Sequence, residues 1–146
     1  MSTTASNLVR HRMYIDGRFV EGSSGDVFES DNPYLGEPWA LIPRGTADDA
    51  DRAVVAAHKA FTSGEWPRLT ASQRGGLLRK LADLITARST DLAGIEVRDN
   101  GKLYAEMSSQ TAYMAQWYHY YGGLADKIEG AVLPTDKADI FNFTRH

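Results

Sequence analysis

The chain has 146 residues, a length that suits one ordinary domain, and a chain of this size typically buries about 70% of the surface that it exposes when unfolded. Its hydrophobic content of 42% and charged content of 24% are typical of soluble globular proteins and exclude the disordered and collagen-like classes. A net charge of −3 provides no broad cationic surface, so the composition predicts binding to neither nucleic acids nor membranes.

The sequence contains no cysteine, which excludes disulfides, thiolate metal sites and a thiol nucleophile within this chain. Arg10, His11 and Arg12 near the start are not followed by an apolar run. The pattern therefore predicts neither a secretory signal nor a membrane-spanning stretch, and we expect a cytoplasmic protein.

The first part of the chain is predicted to be rich in strands. Residues 1–12 are polar and non-periodic, which predicts a flexible terminus with order beginning near Met13. Residues 13–15 and 18–20 flank Asp16-Gly17, a strong signal for a two-residue hairpin turn. A second extended pair, residues 27–29 and 39–42, surrounds a turn that contains proline and glycine.

A helical pattern begins at Thr46, whose side chain can cap the first turn, with Asp49 three residues later. Gly64 and Pro67 end this helix. Its apolar residues recur at helical spacing and predict a buried stripe: Ala50, Ala53, Val54, Ala57 and Phe61.

A second helix start is predicted at Thr70 to Gln73, which has the form of a capping box. The apolar face that follows contains Leu77, Leu78, Leu81, Leu84 and Ile85. Ser89-Thr90-Asp91 can cap a short continuation, and Asn100-Gly101 ends it because both residues tolerate the left-handed conformation.

The last helix is predicted to be long, with a wide buried face that includes Met107, Thr111, Met114, Tyr118, Tyr121, Ala125 and Ile128. Residues 140–146 alternate apolar and polar side chains, which is typical of a strand with its aromatic residues on one side. A natural C-terminus rarely falls inside such a strand, so we expect that the sequence is truncated there.

A search for chemistry finds no site from residue types alone. The sequence has no Gly-x-Ser-x-Gly nucleophile turn, and its four histidines are scattered without metal-ligand spacing. Glu96 and Asp99 are one helical turn apart, and ordinary ion pairs with nearby Arg98 and Lys102 explain them better than acid–base work does. The aromatic residues of the last helix fit either core packing or a recognition surface: Tyr113, Trp117, Tyr118, Tyr120 and Tyr121.

The order of several short motifs nevertheless resembles one family, the aldehyde dehydrogenases, from about Met13 to His146. The motifs are Tyr14-Ile15-Asp16-Gly17-Arg18-Phe19, Asp31-Asn32-Pro33, Ile42-Pro43-Arg44-Gly45-Thr46, Glu65-Trp66-Pro67-Arg68-Leu69-Thr70, Arg79-Lys80-Leu81-Ala82-Asp83-Leu84-Ile85, Arg98-Asp99-Asn100-Gly101-Lys102, Tyr120-Tyr121-Gly122-Gly123-Leu124-Ala125-Asp126-Lys127 and Phe141-Asn142-Phe143-Thr144-Arg145-His146. Leu103 stands where the family often has proline, and Leu124 stands where it often has tryptophan. These departures bear on the choice of subfamily and not on the resemblance to the family.

The resemblance implies an α/β fold, the N-terminal part of the family's Rossmann-like fold. We expect two hairpin-like strand pairs, three to four helices and a C-terminal edge strand. Residues 13–138 would form the N-terminal part of the cofactor-binding domain, and residues 139–146 would begin an oligomerisation hairpin, leaving an unpaired strand edge in an isolated fragment.

The implied activity is oxidation of an aldehyde to a carboxylic acid with NAD or NADP, in a subunit that forms a homo-oligomer, either a dimer or a tetramer. That reaction starts from a cysteine thiolate, which this chain lacks. No catalytic and no cofactor-binding residue is therefore assigned, and the chain alone is predicted to be inactive. The alternative is a non-catalytic interaction module that pairs through its terminal strand.

Two sets of residues are carried over from the family by position. Ser30, Asp31 and Asp99 would correspond to a monovalent cation site, with a plain turn and a helix C-terminus as the alternative. Three residues of the long helix would line the aldehyde tunnel: Tyr113, Met114 and Trp117.

Overall fold

The computed structural model describes residues 8–145, and within that range the chain is an α/β protein. Its strands are β1 Val9–Arg10, β2 Met13–Ile15, β3 Arg18–Val20, β4 Val27–Asn32, β5 Glu37–Pro43, β6 Val132–Leu133 and β7 Asn142–Phe143. Its helices are α1 Ala47–Ser63, α2 Ala71–Ala87, α3 Ser89–Asn100 and α4 Tyr104–Leu124, with a single 3₁₀ turn at Trp66–Arg68 between the first two. None of these helices is long and apolar enough to cross a membrane.

Both predicted strand pairs are confirmed. Strands β2 and β3 are antiparallel and pair Tyr14 with Phe19, and the turn residues Asp16 and Gly17 have φ values of 53° and 76°. A two-residue turn with positive φ at both positions matches the twist of the strands that it joins. Strands β4 and β5 are also antiparallel and run longer than predicted, from Val27 to Pro43.

The prediction that order begins near Met13 is wrong for the residues just before it. Strand β1 pairs in parallel with β5, placing Val9 opposite Ala40, and the His11 amide donates a hydrogen bond of 2.9 Å to the carbonyl of Leu41. The imidazole of His11 also packs edge-on against Trp39. Ladder bonds to a long neighbouring strand thus order a stretch that has no periodicity of its own. Residues 1–7 of the predicted flexible terminus lie outside the described residues.

Helix α1 begins where predicted, because Thr46 and Asp49 form a reciprocal capping box, but its predicted buried stripe is wrong. Val54 is 66% exposed and Phe61 is 76% exposed. The only buried residue of α1 is the polar Asp49. Ala53 and Ala57 of the stripe face the β2–β3 turn across a shallow groove, but the hairpin is too small to bury them. The periodicity thus predicts the helix without predicting its burial.

Helices α2, α3 and α4 form the core of the described chain. Its buried positions are mostly small: Gly75, Ala82, Ala93, Met107, Thr111, Ala115 and Gly122. In α4 the predicted Met107 and Thr111 are confirmed as buried, whereas Met114 and Tyr121 are exposed and Ala115 and Gly122 take their places. Small side chains let the helix axes approach closely, which the larger ones would prevent.

Helix α3 ends as predicted at its C-terminus, but it does not begin with the predicted cap. Gly101 ends the helix with a left-handed φ of 71°, as Asn100-Gly101 predicted. The predicted cap at Ser89 is wrong, since its hydroxyl donates 3.1 Å backwards to the carbonyl of Thr86. Arg88 alone separates the two helices: it is the residue after the last turn of α2 and before the first turn of α3. No side chain caps the start of α3.

The C-terminal strand is shorter than the predicted 140–146, and it is paired along one of its two edges. Strand β7 forms an antiparallel pair with β6, setting Val132 opposite Phe143. The rings of Phe141 and Phe143 are 5.6 Å apart, as expected for side chains on one side of a strand. The two strands form an exposed ribbon, so one edge of β7 is satisfied within the chain itself.

Candidate functional site

The residues predicted to hold a cation lie where β4 meets the end of α3. The Ser30 hydroxyl donates a hydrogen bond of 2.7 Å to Oδ1 of Asp99, although the two residues are 69 positions apart. Gly101 packs on the ring of Pro33, since a Cβ at this glycine would lie 3.1 Å from the proline Cβ. The structure therefore brings the Asn-Pro turn and the helix-ending Asp-Asn-Gly segment together.

Asp31 is the third predicted member of this site. The pairing of β4 with β5 shifts register between Ser30 and Asp31, because Trp39 is an extra residue on the partner strand. Asp31 is exposed. The described residues contain no cluster of three or more acidic or histidine side chains that could hold a metal ion. Any cation at this end of β4 would thus depend on hydroxyl and carbonyl oxygens beside the carboxylates.

The predicted tunnel residues form part of an aromatic ridge along α4. Tyr113 and Trp117 are in edge-to-face contact with their ring centres 5.9 Å apart. Trp117 then stacks on Tyr121 at 6.5 Å, and Tyr121 meets Tyr120 edge-on at 5.2 Å. These rings are exposed, on a different side of α4 from its buried positions. Residue spacing of four keeps successive rings above one another on one helix face.

Two shallow grooves flank the Tyr113–Trp117 pair. One is lined by Ser109, Gln110, Tyr113, Met114 and Trp117, so it contains all three predicted tunnel residues. The other is lined by Tyr113, Gln116, Trp117 and Tyr120. Neither lining includes a charged side chain. Aromatic faces with neutral polar neighbours suit apolar or aromatic groups, and they attract cations as well.

Asp49 makes contacts beyond the first turn of α1 that the sequence does not predict. Its side chain is 2% exposed and accepts hydrogen bonds from the backbone amides of Thr46, at 2.9 Å, and Ser23, at 3.1 Å. The Ser23 hydroxyl bonds both the carboxylate and the Thr46 hydroxyl, and Arg52 forms an ion pair with Asp49. The local capping box was visible in the sequence, but the contact with Ser23 spans 26 positions and carries no sequence signal.

These contacts hold the pKa of Asp49 well below its usual range. The largest cause is the hydrogen bond from the Thr46 amide, followed by that from the Ser23 amide, and the Arg52 guanidinium adds to both. Burial acts in the opposite direction and is outweighed. The carboxylate therefore stays ionised and ties the loop after β3 to the start of α1.

The starts of α1 and α2 are poor sites for the phosphates of a dinucleotide. A dinucleotide binds with its pyrophosphate at a helix N-terminus that follows a glycine-rich turn. The loop between β5 and α1 has this placement, but its helix start is occupied by the carboxylate of Asp49 and also carries Asp48. Helix α2 starts with its own capping box of Thr70 and Gln73. Negative charge and occupied amides at these starts disfavour a phosphate.

Comparison with known proteins gives one consistent answer. The sequence profile described as the Aldehyde dehydrogenase family matches residues 19–146. A (Z)-2-((N-methylformamido)methylene)-5-hydroxybutyrolactone dehydrogenase of Acinetobacter baylyi is 50% identical over 129 residues, which are 88% of this chain and 26% of that protein. An aldehyde dehydrogenase of Aspergillus niger is 43% identical over 134 residues, which are 92% of this chain and 27% of that protein.

Solved structures agree with these sequence relatives. An NAD-dependent aldehyde dehydrogenase from Sinorhizobium meliloti has a TM-score of 0.84 at 33% identity, over 97% of this chain and 29% of that one. A betaine aldehyde dehydrogenase mutant from Staphylococcus aureus in complex with NAD⁺ has a TM-score of 0.82 at 37% identity, over 88% of this chain and 26% of that one. The chain thus spans about a quarter of the length of the curated relatives that it matches.

Proposed function

This chain belongs to the aldehyde dehydrogenase family, and from that premise we propose that it forms the N-terminal part of an oxidoreductase that converts an aldehyde to a carboxylic acid with NAD or NADP. The observation that carries the proposal is the profile match from residue 19 to residue 146. The fold agrees, with a TM-score of 0.84 to an NAD-dependent member. The partners proposed for the whole enzyme are a small aldehyde and further copies of the same subunit, in the cytoplasm.

The chemistry itself is assigned to the remainder of the enzyme. Covalent catalysis on an aldehyde needs an activated nucleophile, and this chain contains no cysteine to supply the family's thiolate. The starts of α1 and α2 also disfavour the phosphates of a dinucleotide. We therefore assign this chain a scaffolding role, with one wall of the aldehyde path on α4, and no turnover of its own.

A pair of assays tests this assignment. The purified chain is expected to give no aldehyde-dependent reduction of NAD or NADP with acetaldehyde or benzaldehyde. A chimera in which the chain replaces the matching 134 residues of the Aspergillus niger relative is expected to reduce NAD. Turnover by the chain alone would contradict the scaffolding role, and a folded but inactive chimera would contradict the proposed function.

We propose that the aldehyde path runs along the groove that contains Tyr113, Met114 and Trp117. Support comes from their shared exposed groove and its uncharged lining. In the active chimera, Trp117→Ala is expected to raise KM for benzaldehyde more than for acetaldehyde, because the larger ring loses more contact. The matched control is Gln116→Ala, which leaves both rings of the Tyr113–Trp117 pair in place. Equal effects of Trp117→Ala on the two aldehydes would contradict the path.

We propose that a monovalent cation binds near Ser30, Asp31 and Asp99. Support comes from the 2.7 Å contact between the Ser30 hydroxyl and the Asp99 carboxylate, with Asp31 as the next residue along β4. Potassium or sodium chloride is expected to raise the unfolding temperature relative to choline chloride at equal ionic strength, and Asp99→Asn is expected to abolish the difference. A difference that persists in Asp99→Asn would place any cation elsewhere.

The alternative function, a non-catalytic interaction module, is favoured by one observation. The ribbon of β6 and β7 is exposed, and both Phe141 and Phe143 point their rings into solvent. If the module is correct, the chain binds a full-length family subunit, and Phe141→Asp abolishes that binding while the chimera stays inactive. An active chimera favours the enzyme segment instead.

A further inference from the structure

Helix α3 ends at an asparagine followed by a glycine, Asn100-Gly101, and these two residues can react with each other. A glycine carries no side chain, so its backbone nitrogen can approach the preceding side-chain amide without hindrance. The other asparagines of the sequence are followed by Leu8, Pro33 and Phe143, and proline has no N–H with which to attack. Asn100 is thus the asparagine that its own neighbour can attack most readily.

In the folded chain both reacting nitrogens are engaged elsewhere. The Gly101 amide donates a hydrogen bond of 3.0 Å to the carbonyl of Val97, in the last turn of α3. The side-chain nitrogen of Asn100 donates a hydrogen bond of 2.7 Å to the Glu96 carboxylate. Gly101 also has a left-handed φ of 71° and packs against Pro33, which follows β4. The folded helix end therefore withholds the attacking nitrogen.

The side-chain carbonyl of Asn100, in contrast, is already prepared for attack. Its Oδ1 accepts a hydrogen bond of 2.9 Å from the Lys102 amide, in a local turn that involves no other part of the helix. A donor at this oxygen stabilises the negative charge that develops there when a nucleophile adds to the carbon. Asn100 and Gly101 are also exposed, so water reaches both of them. Release of the Gly101 nitrogen is therefore the step that the fold controls.

We propose that Asn100 is a site of spontaneous deamidation, and that the contact of the α3 end with β4 keeps the reaction slow while the chain is folded. Opening of the last helical turn frees the Gly101 nitrogen, which bonds to Cγ of Asn100. The Cγ–Nδ2 bond then breaks, and the Gly101 proton passes to the departing nitrogen, which leaves as ammonia. Water opens the resulting cyclic imide at either carbonyl and gives aspartate or isoaspartate, with no oxidant or reductant involved.

The product weakens the helix end from which it forms. A carboxylate at position 100 adds negative charge to a helix C-terminus, where the dipole is already negative. It also faces Glu96 four positions earlier, so a hydrogen bond is replaced by a like-charge contact. The adjacent Asp99 is the residue that joins α3 to Ser30 of β4, through a hydrogen bond of 2.7 Å. Deamidation is therefore expected to loosen the contact between α3 and β4.

Mass spectrometry of a peptide that contains residues 99–102 follows the reaction, since conversion of the amide to an acid raises the peptide mass. The chain and the Aspergillus niger chimera are incubated at mildly alkaline pH in buffer and in urea, and circular dichroism reports which samples are folded. Asn100 is expected to convert at least about tenfold faster in urea than in folded samples, because unfolding frees the Gly101 amide. Asn142 is the internal control and should convert more slowly than Asn100 in urea. Equal rates in buffer and urea, or equal rates at the two asparagines in urea, would overturn the proposal.

Substitutions at Ser30 test the role of β4. Ser30→Ala removes the hydroxyl that bonds Asp99, and it is expected to raise the rate at Asn100 in buffer about two- to fivefold, as the loss of one exposed hydrogen bond predicts. Ser30→Thr is the matched control, because it keeps the hydroxyl and should leave the rate unchanged. Both variants should react alike in urea. Equal rates for the two variants in buffer would show that β4 does not control the reaction and would overturn that part of the proposal.

Discussion

Two regions of this chain are held together by different physical means. Helices α2 and α4 meet through glycine and alanine positions, so their backbones lie in direct contact at Gly75 and Gly122. Helix α1 is held to the loop after β3 by an ionised carboxylate, Asp49, that accepts hydrogen bonds from Ser23. A larger side chain at the glycine contact should therefore destabilise the first region, whereas loss of the negative charge of Asp49 should destabilise the second.

The largest effect is expected from the close helix contact. A Cβ at Gly75 would collide with the carbonyl of Gly122, and overpacking of this kind costs about 1–3 kcal/mol. Gly75→Ala is therefore expected to lower the free energy of unfolding in urea by that amount. Gly76→Ala is the matched control, since a Cβ there meets nothing within 4 Å, and it should stabilise the helix by up to about 1 kcal/mol. Equal effects of the two variants would show that the helices are not in contact at this point.

The second region is tested by its carboxylate. Because the pKa of Asp49 is lowered in the folded state, its contribution to stability is present above the unfolded pKa of about 4 and is lost as the pH falls below it. Asp49→Asn is expected to destabilise the fold at neutral pH and to flatten the loss of stability on acidification, as followed by thermal unfolding between pH 7 and pH 3.

The matched control for that test is Asp48→Asn, which removes a neighbouring charge from the same first turn of α1. Its side chain lies at an exposed position, so the pH profile of unfolding should stay close to that of the unchanged chain. A profile for Asp49→Asn that matches the control would mean that the Ser23 contact does not hold α1 in place.

A smaller effect is expected from the helix caps. Thr70 and Gln73 form a reciprocal capping box at the start of α2, so Thr70→Ala is expected to cost about 1 kcal/mol in urea unfolding. At the start of α3 no side chain caps the helix, and the exposed Ser89 hydroxyl only donates to the Thr86 carbonyl, so Ser89→Ala should change stability by less than about 0.5 kcal/mol. A larger loss of stability for Ser89→Ala than for Thr70→Ala would show that Ser89 caps α3, as the sequence predicted.

The smallest effect is expected at a contact outside these two regions, between Ser30 of β4 and Asp99 of α3. A double-mutant cycle with Ser30→Ala and Asp99→Asn isolates this hydrogen bond, and we expect a coupling free energy of about 0.5–1 kcal/mol, since the bond is solvent-exposed. Strict additivity of the two substitutions would show that β4 and α3 are joined by other contacts.

Predictions from the sequence succeeded where the decisive contacts are short in range. The hairpin turn at Asp16-Gly17, the cap at Thr46, the capping box at Thr70 and the helix end at Gly101 each depend on residues within about four positions. The contact of Ser30 with Asp99 was anticipated only through the family resemblance. The contact of Asp49 with Ser23 was not anticipated, because a hydrogen bond across 26 positions leaves no periodic trace.

The sequence by itself determined the family, the turns, the helix boundaries set by capping boxes and glycine, and the absence of a thiolate. Only the tertiary structure decided which apolar stripes are buried. Val54 and Phe61 on α1 are spaced as a buried face and lie in solvent, whereas Ala115 and Gly122 take buried positions on α4. The reason is that periodicity records which side of a helix is apolar, while burial depends on a second surface that reaches that side.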